Sequence, residues 1–155
     1  MMISSTPTNN AASVIRVKAI DHVTIVVDDL SRSRDFYRDL LGMVEVDRPD
    51  FGFPGHWLQA GATQVHLIET MEGSSEPGGG LDPDQVASGL THHFAFEVDD
   101  AELAHQILLS AGVRIQGGPR KRPDGCMQLW FYDPDGHCVE VFDRTGSTPD
   151  SRSQR

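Results

Sequence analysis

Ile20-Asp21-His22-Val23-Thr24-Ile25-Val26-Val27-Asp28-Asp29 returns later in the chain as Thr91-His92-His93-Phe94-Ala95-Phe96-Glu97-Val98-Asp99-Asp100. Laid together, His22 falls on His93, Val27 on Val98, and one Asp pair on the other. Both stretches alternate, with β-branched and aromatic side chains along one side, as a strand with one buried face does. Each Asp pair then stands where a helix N-cap is wanted, because a carboxylate there accepts from the free N–H groups of the first turn. The spacing predicts helices over about 30–41 and 101–111. Phe36, Tyr37, Leu40 and Leu41 form the buried stripe of the first, and Leu103, Ile107, Leu108 and Ala111 that of the second. Gly42 and Gly112 come next, at the position where a left-handed residue ends a helix.

Three short strands are expected after each helix: about 43–47, 55–60 and 63–70, then about 113–116, 126–132 and 137–143. The last two of each set can close as hairpins, on Gly61-Ala62 and on Pro134-Asp135-Gly136. The fold class is therefore α+β: two βαβββ units forming a curved mixed sheet around a cup, with helices outside. One domain spans 16–144, with unit one at 16–70, a linker at 71–89 and unit two at 90–144. The stretches 1–15 and 145–155 are polar tails, too poor in apolar residues to offset the entropy of ordering.

Composition narrows the partners. At 155 residues the chain makes one domain, and a formal net charge of −10 repels nucleic acid and anionic membranes alike. No run is long and apolar enough to span a bilayer, and the polar start does not resemble a signal peptide. Two cysteines, Cys126 and Cys138, are too few for a disulfide scaffold, so a reducing cytoplasm is expected. Arg120, Lys121 and Arg122 gather on what reads as a loop, where solvated charge is the expected role. Gly78-Gly79-Gly80 opens no helix and is read as linker rather than phosphate loop.

Strand parity selects the site. In the first strand Val23, Ile25 and Val27 are the apolar set that belongs under the helix, which turns His22 and Thr24 into the cup. The same parity leaves His93, Ala95 and Glu97 in the cup and puts His92 on the other face. Closing the hairpins pairs Trp57 with His66 and Trp130 with Glu140. The repeat makes His66 equivalent to Glu140, as His22 is to His93. The candidate metal ligands are therefore His22, His66, His93 and Glu140. Three imidazoles and a carboxylate suit one divalent transition metal, Zn, Fe, Mn, Ni or Co, better than Ca²⁺ or Mg²⁺. His56, His105 and His137 read as bystanders.

The paired units, the opening Asp21-His22-Val23-Thr24-Ile25-Val26-Val27, the stretch from Asp35-Phe36-Tyr37 to Leu40-Leu41-Gly42, and Asp133-Pro134-Asp135-Gly136-His137 with Glu140 beyond it resemble the vicinal oxygen chelate superfamily. That group includes glyoxalase I, fosfomycin-resistance transferases, extradiol dioxygenases, methylmalonyl-CoA epimerases and bleomycin-resistance proteins. The resemblance covers about 17–143 and implies a metal that holds two neighbouring oxygens of a small-molecule substrate. It implies a glyoxalase-like lyase or isomerase, with an Fe(II) extradiol-type dioxygenase and a metal-free drug-binding protein of the bleomycin-resistance type as alternatives. On this reading Glu140 and His66 are the candidate catalytic residues. Thr24, Trp57, Glu97, Gln128 and Trp130 line the substrate pocket. Glyoxalase I proteins usually carry a second glutamate where this chain has His66. A homodimer is expected, since exposed strand edges need covering and similar proteins pair; neither nucleic acid nor membrane is expected as a partner.

Overall fold

The doubled pattern builds two separate four-stranded sheets. In this computed structural model, which describes residues 15–80 and 89–146, unit one runs β1 (His22–Val27), α1 (Leu30–Asp35), β2 (Val44–Val46), β3 (Gly55–Ala60) and β4 (Thr63–Glu69). Unit two runs β5 (His93–Glu97), α2 (Ala101–Ser110), β6 (Ile115–Lys121), β7 (Met127–Tyr132) and β8 (Cys138–Asp143). The strand orders are β1-β4-β3-β2 and β5-β8-β7-β6, the same topology twice. In each, the first strand lies parallel to the last, and the remaining neighbours are antiparallel. Almost all of the expected tails, and linker residues 81–88, lie outside the described residues.

Local chemistry sets the element ends. Asp29 accepts from the Arg32 amide at 2.9 Å and Asp100 from the Leu103 amide at 2.9 Å, so each Asp pair does cap its helix. The first helix departs from the regular form expected to 41. From Phe36 to Leu40 it widens into a π turn, in which the Leu41 amide reaches back to the Phe36 carbonyl at 3.1 Å. Such a turn shifts the angular position of the residues beyond it, and here Tyr37 is fully buried. The stripe of α2 also differs. Ala101 and Leu108 are buried, while Leu103 and Ile107 are 56% and 46% exposed. Small residues, Ala101 and Ala104, sit against the sheet and let the helix approach closely. The larger Leu103 and Ile107 are left at the rim of a groove that includes Leu40, Leu41 and Val98.

Parity holds in both first strands. Ile25 and Val27 are buried in the core of unit one, with Val23 packed against them. Phe94 and Phe96 pack against that core and also against Leu129, Phe131, Val139 and Val141 of unit two. Phe36 and Leu41 are likewise shared by both clusters. The units are thus joined through their helix-side faces. They do not extend one another edge to edge, and β1 and β5 each have a single strand neighbour, β4 and β8.

Polar bonds lock this junction. The Asp135 carboxylate, 1% exposed, accepts from the Asp28 amide at 2.9 Å, Arg32 Nη2 at 2.9 Å and Ser33 Oγ at 2.8 Å. The Tyr37 hydroxyl donates to Asp133 Oδ2 at 2.8 Å. His137 Nδ1 meets the same carboxylate at 2.8 Å, and its Nε2 accepts from the Gly78 amide at 3.1 Å. The turn of unit two therefore holds the first turn of α1 and the Pro77–Gly80 turn of the linker together. His137 is a structural residue, in keeping with its reading as a bystander.

Candidate metal centre

Antiparallel pairing places the site residues as the hairpin argument expects. Trp57 lies opposite His66, and Trp130 opposite Glu140. Across the parallel pairs, Thr24 neighbours His66 and Ala95 neighbours Glu140. The candidate ligands gather as two pairs, one on each sheet. On unit one the His22 and His66 rings stack with centroids 4.1 Å apart and planes 10° from parallel. Trp57 covers the other side of His66, at 4.3 Å and 9°. On unit two, His93 Nε2 stands 3.0 Å from Glu140 Oε2.

The second nitrogen of each histidine is already engaged. His93 Nδ1 lies 2.8 Å from the Thr91 carbonyl, which can only accept, so Nδ1 carries the proton. In the neutral ring Nε2 then presents a lone pair to a carboxylate, an arrangement that a cation between them would satisfy. His22 Nδ1 donates to Asp21 Oδ2 at 2.8 Å, which leaves Nε2 as its lone-pair nitrogen. His66 Nε2 donates to Gln64 Oε1 at 2.8 Å, and Gln64 is itself oriented by donating to Gln59 Oε1 at 2.8 Å. A carboxylate or carbonyl behind each imidazole is how metal-ligating histidines are fixed in orientation and tautomer. Burial, then the neighbouring His22 and Arg48 charges, hold His66 below the ordinary histidine pKa, so its ring is neutral at pH 7. The donor set therefore fits a borderline divalent ion.

Asp21, Gln64 and Thr91 escaped the sequence reading. The signal was available, since Gln64 and Thr91 each stand two residues before a ligand, Gln64 on the same face of β4 and Thr91 in the bend that leads into β5. The two pairs themselves do not converge. Among the described residues no group of three or more His, Cys, Asp or Glu side chains comes together in a way that could hold a metal.

The pocket candidates share these faces. Thr24 is exposed beside His66 on β1, and Glu97 is exposed on β5 and paired with Arg144 at 3.2 Å. Gln128 and Trp130 lie on β7, and Trp130 is 3% exposed, its indole nitrogen without a hydrogen-bond partner among the described residues. Gly89 presses on that indole, and a Cβ there would lie 2.9 Å from Cζ2. The expectation for Arg120, Lys121 and Arg122 needs correction. Arg120 and Lys121 belong to β6, and the Arg120 guanidinium lies 4.4 Å over the Trp130 ring. Cys126 and Cys138 are free and buried, and burial, then the Glu140 charge, pushes the Cys138 thiol up to about 11.

Residues 19–141 match the model of the family described as Glyoxalase/Bleomycin resistance protein/Dioxygenase superfamily. The chain belongs to that superfamily. Within it, the chain is 33% identical over 130 residues to the ethylmalonyl-CoA/methylmalonyl-CoA epimerase of Cereibacter sphaeroides, covering 79% of this chain and 95% of that one. It is 24% identical over 139 residues to Glyoxylase I 4 of Arabidopsis thaliana, covering 85% and 74%. A solved superfamily member from Sphaerobacter thermophilus has the same fold, with a TM-score of 0.62 at 23% identity, covering 82% and 98%. Among the described residues of this superfamily member no helix is long and apolar enough to cross a membrane.

Proposed function

We propose that this superfamily member is a divalent-metal-dependent enzyme of the glyoxalase type, a lyase or isomerase acting on a small substrate with two neighbouring oxygens. The observation that carries the reading is the meeting of His93 Nε2 and Glu140 Oε2 at 3.0 Å, with Nδ1 committed to Thr91. Relatives named as a glyoxylase I and as an epimerase support it. A bound metal would polarise the substrate oxygens and stabilise the negative charge developing on them. The chain's own residues do the rest. Glu140 accepts a proton from the substrate carbon and returns it; His66 is the alternative base only where His22, His93 and Glu140 alone hold the metal. Trp57 and Trp130 wall the substrate off from water.

The working unit is a homodimer in a reducing cytoplasm, and each metal centre is shared between subunits. His22 and His66 of one subunit join His93 of the partner subunit and Glu140 of the partner subunit. The helix-side junction of the two units supports this, because it uses the faces opposite the ligands. So do the free edges of β1 and β5 and the exposed Ile15, Val17 and Ile20 near the start of β1.

Elemental analysis of protein purified without an affinity tag tests the metal. His93→Ala and Glu140→Ala should lower occupancy sharply, and His92→Ala should leave it unchanged. Mixing His22→Ala with Glu140→Ala protein tests the sharing. Random reassortment makes about half the dimers mixed, each with one intact centre, so occupancy should recover to roughly a quarter of wild type. No recovery with full exchange of subunits would place all four ligands within one chain.

A further inference from the structure

β6 slips its register twice against β7: Ile115 faces Phe131 but Gly117 faces Trp130, and Arg120 then faces Gln128. Each slip adds one residue to β6, so together they restore the strand's alternation. Arg120 and Arg122 therefore lie on the same face as Trp130 and Glu140, while Lys121 pairs with Met127 on the other face. Arg120 has no carboxylate partner among the described residues and rests its guanidinium on the Trp130 ring. Arg122 reaches from Asp124, at 2.6 Å, to within 4.0 Å of Glu140 Oε1. Two guanidinium groups are thus turned onto the site face of a chain whose net charge is −10.

We propose that Arg120 and Arg122 form a seat for an oxyanion of the substrate, a carboxylate or phosphate-type group, next to the Glu140 end of the metal centre. Planar guanidinium groups bind such groups through paired N–H donors, and stacking on Trp130 fixes the plane of Arg120. The substrate class is then a small anion that carries its acid group beyond the two chelating oxygens. This rests on the metal-enzyme reading for its place in catalysis. The seat itself lies within one chain and needs no metal.

The test uses metal-free protein in a Trp57→Phe background, where Trp130 is the single remaining tryptophan. Its fluorescence is titrated with inorganic phosphate, with malonate, and with neutral malonamide at fixed ionic strength. Phosphate or malonate should give a saturable change and malonamide none; which anion binds tighter identifies the acid group. Arg120→Gln and Arg122→Gln should each weaken that binding roughly tenfold or more, the cost of removing a charged donor. Lys121→Gln, an equal loss of charge on the opposite face, should leave it within about twofold. His22→Ala should abolish metal uptake and retain the oxyanion titration, so the two readings fail separately. Absence of a saturable response to either anion overturns the seat, and so does equal weakening by Lys121→Gln and Arg120→Gln.

Discussion

Replacing Asp135 with alanine tests whether the two units are held as one body. The side chain is 1% exposed and receives three donors from the start of α1. They lose unequally. Ser33 is fully buried, so its hydroxyl is stranded without water, at a cost of about 1–3 kcal/mol. Arg32 is 47% exposed and can turn to solvent, so its share is at most about 1 kcal/mol. The Asp28 amide is at an exposed residue and exchanges its partner for water. The sum is about 1–4 kcal/mol, a large fraction of the 5–15 kcal/mol that holds a typical domain folded. Urea denaturation of dimer at fixed concentration, monitored by circular dichroism, measures it. Adding Ser33→Ala to Asp135→Ala removes the stranded hydroxyl and should recover about 1 kcal/mol or more. A loss under about 1 kcal/mol, with no recovery in the double variant, would show that the junction rests on its apolar contacts alone.

Tyr37 is buried, with Asp133 beside it, and both effects raise its pKa well above the ordinary value. Of the two tyrosines, spectrophotometric titration should therefore find one that ionises only when the fold is lost. Asp143 is held below the usual carboxylate range first by the Thr145 hydroxyl and then by the Ala101 amide. Its contribution to stability is present above the unfolded carboxylate value of about 3.9 and disappears as pH falls through the lowered folded value. Asp143→Asn should accordingly be less stable near neutrality and lose less on acidification, as read from unfolding free energies across that range. Native Cys138, with its thiol near 11, should alkylate far more slowly at pH 8 than in denaturant, and peptide mass mapping would reveal the difference.

The repeat made most of the fold legible. Once His22 was set on His93, the succession of strands along the chain, the capped helices and the Trp57–His66 and Trp130–Glu140 pairs came from parity and turn length. The orientation of Arg120 and Arg122 went unread because the stretch was taken for a loop, where parity does not apply, whereas Arg120 belongs to β6. Over Phe36–Leu40 the regular helix gives way to a π turn, yet the expected stripe of Phe36, Tyr37, Leu40 and Leu41 does pack in the core. Helical periodicity misjudged Leu103 and Ile107 because close approach through alanines, rather than side-chain bulk, decided how α2 lies. The division of the ligands into two pairs was out of reach, since strand pattern fixes which face a residue uses but not how two sheets are placed. Asp21, Gln64 and Thr91 went unread because they stand behind the histidines and are not themselves candidates to touch the ion.

The junction also bears on the order in which the chain can be made. Tyr37 finds its partner Asp133 at a separation of 96 residues, and Arg32 finds Asp135 at 103. Phe36 and Leu41 wait equally long for Val139 and Val141. During synthesis, unit one therefore emerges with its strands ready to pair but one side of its helical segment uncovered until β8 is complete. Two units alike in sequence are then not two folding steps. Contacts so distant in sequence slow folding and lengthen the exposure of that side to aggregation.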